Sequence, residues 1–167
     1  MKAIIILLLS LLTGCGIANL NDFTVPNDMQ FLECIDSLNT PKKICQYMCD
    51  NFEYEYHALI SIDPYTLWKT KKGDCNDMSA FAVFVADYNG IEVYQIKIIT
   101  SLFSGHTFAV YKEEDLYSFS SNYTYYKPEY NSFREMVEWF FNEEDTKWYE
   151  YTVYNEDMKI IERGKRE

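Results

Sequence analysis

The sequence predicts an α+β domain, and three stretches carry that expectation. Residues 78–86 are an almost unbroken apolar run with Ser79 as the one polar member, the pattern of a helix buried on most sides rather than along one stripe. Three short segments follow, at 91–98, 106–111 and 116–120, rich in β-branched and aromatic residues and separated by turn-forming stretches; they predict strands. Phe133, Met136, Val137, Phe140 and Phe141 then recur at i, i+3, i+4, i+7 and i+8, which predicts an amphipathic helix laid against the sheet.

From the N-terminus, Met1-Lys2 leads a short apolar stretch at 3–12 that ends in Leu12-Thr13-Gly14-Cys15. The apolar stretch is too short to span a bilayer comfortably and has the layout of a secretory signal. The tetrapeptide resembles a bacterial lipobox, which implies removal of residues 1–14 and lipidation of Cys15. Residues 15–27 then read as the lipidated N-terminus and tether, 28–161 as the folded domain and 162–167 as a charged tail. The expected location is extracytoplasmic, on the cell membrane or outer membrane, with the lipid on Cys15 as the contact to the bilayer.

Residues 28–35 predict a first helix, and Thr40-Pro41 opens a second with threonine as N-cap and proline at the first helical position. Ile44, Tyr47, Met48 and Phe52 share one face of it. Cys45 and Cys49 lie one helical turn apart, a poor geometry for a bridge, so an oxidised form would pair Cys34 with one of them; a fully reduced set is the alternative. A last strand is expected over 147–154.

The chain has 167 residues, 48% of them hydrophobic and 17% aromatic, enough for one domain with a real core. Its formal net charge is −11, and loss of Lys2 with the signal would add one negative charge. That acidity argues against nucleic acid, whose phosphates it would repel. Neither paired Cys-x-x-Cys motifs nor histidines at ligand spacing occur, and there is no glycine-rich phosphate loop, so no metal and no cofactor is expected.

The chemistry centres on Gly73-Asp74-Cys75-Asn76-Asp77. Asp74 is placed to cap the helix and Asp77 to complete an approximate capping box, which puts Cys75 in the first turn. There the unpaired backbone N–H groups favour the thiolate, the nucleophilic form. Gly105-His106 opens a later strand and supplies the candidate base. His57, the only other histidine, reads as structural.

Hairpin register decides which residue orients His106. With a two-residue loop at Glu113-Glu114 Ser121 falls opposite His106, and with a three-residue loop at 113–115 Asn122 does. Asn122 is favoured, because its amide oxygen can accept from an imidazole N–H as in a Cys-His-Asn set; Ser120 is the fallback if the strand carries a bulge.

Gly-Asp-Cys at a helix start, Gly-Ile-x-x-Tyr a helix later, Gly-His-x-x-x-Val-Tyr and a following Tyr-x-Phe strand resemble the transglutaminase-like superfamily, a branch of the papain-like cysteine peptidase fold. The resemblance covers residues 41–122. It implies a central nucleophile helix packed on a small antiparallel sheet, and amide-bond hydrolysis or acyl transfer through a thioester, with Cys75 as nucleophile and His106 as base. A protein or peptide would be the substrate. In place of the family's usual aspartate the chain has Ser120-Ser121-Asn122. A catalytically inactive surface lipoprotein that keeps the fold as a binding module is the alternative expectation.

Overall fold

A computed structural model describes residues 23–56, 61–102 and 104–166. The helices start where local capping chemistry dictates. Asp28 accepts the amides of Gln30 and Phe31 at the head of α1 (Met29–Ser37), and Thr40 accepts that of Lys43 ahead of Pro41 in α2 (Pro41–Asn51). Two features had no counterpart in the sequence reading. β1 (Glu53–Tyr54) and β2 (Lys72–Gly73) form a small parallel sheet, with α3 (Pro64–Thr70) between them in sequence.

α4 (Cys75–Tyr88) begins at the expected residue and is buried along most of its length. It lies against β3 (Val93–Ile99) and β4 (Gly105–Glu113). β5 (Leu116–Ser121), β6 (Thr124–Tyr130), α5 (Phe133–Glu143), β7 (Glu150–Tyr154) and β8 (Ile160–Lys165) complete the chain. The main sheet is antiparallel with strand order β6-β5-β4-β3-β7-β8, so the fold is α+β.

Strand alternation gives this sheet two apolar faces. Val93, Ala109 and Tyr111 join the helices α1 to α4 in one core. Ile96, Ile98, Phe108, Val110 and Phe119 form a second core with Phe133, Met136, Val137, Phe140 and Phe141 of α5. The sheet is thus a wall between two helical layers. α4 meets it through Asn76 and Ser79, which bond Thr107 and Gln95, while α5 presents bulky aromatic side chains.

The residues assigned to a charged tail are corrected by β8, which pairs with β7 through Lys165. Gly164 is the reason it fits: a Cβ there would lie 2.2 Å from a Tyr151 ring carbon, so only glycine lets the strand cross that ring. At the other end of the domain Phe23, in the expected tether, packs edge-on against Phe84 with centroids 5.1 Å apart. Among the described residues β6 and β8 are the sheet edges. The first carries Lys127, Pro128 and Glu129, the second Glu162, Arg163 and Lys165.

Candidate functional site

The head of α4 is held by a reciprocal box. Asp74 Oδ1 accepts the amides of Asn76 and Asp77 at 2.8 and 3.3 Å, and Asp77 Oδ2 accepts the amide of Asp74 at 2.9 Å. The other Asp77 oxygen accepts the amide of Ile62 at 2.9 Å. An aspartate therefore does the work usually given to glutamate at this position, and ties a neighbouring segment to the helix as well. Gly73 is needed just before the box, because a Cβ there would sit 2.7 Å from Leu67 Cδ1 and 2.9 Å from Asp77 Cβ.

Cys75 is the first residue of α4 and is half-buried. Tyr54 stands close enough that, after burial, the negative charge of Cys75 is the next cause raising its phenol pKa, followed by Asp74. Behind Cys75 runs a buried polar string that reaches the sheet. Thr107 Oγ1 donates to Asn76 Oδ1 at 2.7 Å, Ser79 Oγ donates to the Asn76 carbonyl at 3.0 Å, and Gln95 Nε2 donates to Ser79 Oγ at 2.7 Å. The signal for this string in the sequence is the single polar residues at 79, 95 and 107 among apolar neighbours.

Thr107 also settles which way its neighbour points. Since Thr107 faces α4, His106 faces the other side of the sheet. There its ring stacks on Phe140 of α5 at 5.9 Å and meets the edge of Phe108 at 5.0 Å. Ile98, its register partner on β3, belongs to the same α5-side core. The expected pairing of Cys75 with His106 is therefore corrected: the two residues lie on opposite faces of the sheet. Period-two alternation explains it, for His106, Phe108 and Val110 share the face that joins the aromatic α5 layer, whereas Thr107, Ala109 and Tyr111 share the α4 face.

The residue that meets His106 also differs from expectation. The β4–β5 loop is Glu114-Asp115, with Glu113 still paired to Leu116, so Phe108 lies opposite Ser121. Glu113 is kept in the strand by accepting from the hydroxyls of Ser118 and Tyr125. Ser121 reaches His106 diagonally, with Oγ 2.8 Å from Nε2. Asn122 does not take that place. It sits in the β5–β6 turn at φ +53°, and its amide oxygen is buried with no hydrogen-bond partner among the described residues. Ser120, the fallback, points to the α4 side, where its hydroxyl lies 3.2 Å from that of Tyr111.

Burial among aromatic rings pushes His106 down to about 4, so the imidazole is neutral at pH 7. Burial pushes the Cys45 thiol up to about 12, with Tyr111 Oη 4.0 Å away. Cys34, Cys45 and Cys49 form no disulfide among the described residues. Trp68 and Lys69, neighbours of the cysteine in sequence, serve the helical layer: Trp68 packs on Phe31 and Tyr65, and Lys69 bonds Asp28 at 2.8 Å. A cavity of about 500 Å³ lined by Arg134, Glu138, Asn142, Trp148 and Arg166 lies on the α5 side. His57 and Cys15 lie outside the described residues, and no described helix is long and apolar enough to cross a membrane. No protein-family model and no curated protein sequence matches the chain.

Proposed function

We propose that this chain is an exported lipoprotein, anchored through Cys15, whose transglutaminase-like α+β body binds a protein or peptide without Cys75–His106 acyl chemistry. One observation carries the reading: the sheet stands between the thiol and the imidazole that would have to activate it. A general base has to reach the proton it removes, directly or through one water. Thr107, next to His106 in the same strand, spends its hydroxyl on Asn76 instead.

The test is the pH dependence of Cys75 alkylation by iodoacetamide, read by peptide mass in wild type, His106→Ala and His57→Ala. The binding reading expects the same midpoint in all three. A midpoint that moves in His106→Ala, or a thioester on Cys75 that needs His106, overturns it. Replacement of Cys15 by Ser should in parallel release the protein from membranes and remove the lipid mass.

The amidase or acyltransferase reading keeps one observation in its favour. Cys75 is the first residue of a fourteen-residue helix and is partly exposed, a place where helix N–H groups stabilise a thiolate. Under that reading a group other than His106 takes the proton, and a midpoint that shifts in His57→Ala would identify it.

A further inference from the structure

His106 is not idle on its own side of the sheet. Its Nε2 lies 2.8 Å from Ser121 Oγ, the separation at which a hydroxyl nucleophile and its base work together. Both sit at the end of the sheet, the imidazole partly exposed and Ser121 9% exposed. Stacking on Phe140 and edge contact with Phe108 fix the ring plane on two sides. From Phe140 an aromatic strip runs outward through partly exposed Tyr126, at 5.9 Å, to exposed Trp139, 5.6 Å from Tyr126. At the same hairpin tip Asn122 holds its left-handed turn, with a buried amide oxygen that has no partner among the described residues.

We propose that Ser121 and His106 form a nucleophile–base pair that takes esters of apolar acids, with the acyl group lying along Tyr126 and Trp139. The pair stands on the α5 side and does not depend on the reading given for Cys75. In the step, Ser121 Oγ attacks the ester carbonyl carbon and its proton passes to His106 Nε2. The carbonyl–alkoxy bond breaks, the alcohol leaves with that proton, and an acyl-serine remains. Water, giving a proton to Nε2, then attacks the acyl carbon; the acid departs and Ser121 Oγ recovers the proton. The sum is ester plus water to acid plus alcohol.

The experiment uses the full chain carrying Cys75→Ala, so that the thiol contributes nothing, and an alkyl fluorophosphonate as probe, with adducts located by peptide mass. Phosphonylation of Ser121 is expected, absent in Ser121→Ala and slowed at least tenfold in His106→Gln. Because His106→Gln could disturb folding, the pH profile of the unsubstituted serine site gives a second readout. A base-assisted serine labels at a rate nearly flat from pH 6 to 8, whereas an unassisted hydroxyl climbs about tenfold per pH unit with hydroxide. No adduct on Ser121, labelling in His106→Gln at the parent rate, or the hydroxide-like climb would each overturn the proposal.

Discussion

Acid titration of stability isolates the environment of His106 and can be worked through from its surroundings. The ring is walled by Phe108 and Phe140, and burial alone lowers it from an ordinary value near 6.5 to about 4. The folded chain therefore resists a proton that the unfolded chain accepts at about 6.5. By linkage, the contribution to stability is complete above that value and is lost as the pH falls toward about 4. At ~1.4 kcal/mol for each pH unit between the two states, the loss approaches about 3 kcal/mol, and partial exposure of the ring trims it toward about 2 kcal/mol. His106→Gln keeps a partner for Ser121 and does not titrate. Urea unfolding of both proteins at pH 7, 5.5 and 4 should show the wild-type advantage shrinking by about 2–3 kcal/mol across that range, other carboxylates cancelling in the difference. A difference independent of pH would refute the burial argument and with it the placement of His106 against α5.

Three further outcomes follow from the head of α4. Thr107→Val keeps the shape but withdraws the hydroxyl donated to Asn76 Oδ1, and should cost about 1–3 kcal/mol by urea titration, with Thr107→Ser recovering most of it. Gly73→Ala drives a methyl into Leu67 and Asp77 and should cost about 1–3 kcal/mol, seen as a lower Tm. Asp77→Ala removes acceptors for the amides of Asp74 and Ile62; a loss of about 1–2 kcal/mol is expected, with faster hydrogen exchange confined to those two amides and their neighbours.

What could be read from the chain was what short-range chemistry decides. Asp74 with Asp77 and Thr40 with Pro41 announce helix starts because caps act within one turn, and both appear in the structure. The amphipathic α5 was visible for the same reason. Register and facing were harder, since they depend on where a strand stops. Glu113 looked like turn material, yet hydroxyls from Ser118 and Tyr125 keep it in the ladder and move every opposite residue by one or two places. The facing of His106 was within reach: its period-two companions Phe108 and Val110 are fully apolar, while polar Thr107 on the other face suits the polar head of α4. β8 was hidden because an edge strand can carry charge on both sides, and its one buried residue is a glycine.

The two borders of the sheet are guarded differently, and this bears on crowding. Pro128 cannot donate to an incoming strand, and Lys127 and Glu129 flank it, so the β6 border discourages recruitment of a neighbour. The opposite border relies on Glu162, Arg163 and Lys165 to offset half-exposed Ile160 and Ile161. Molecules confined to two dimensions collide far more often than in bulk solution. For a population held on a membrane by the proposed lipid anchor, that guarded pair of margins would keep it as separate bodies, and neutralising the charges at 162, 163 and 165 should turn the second margin into the place where aggregation starts.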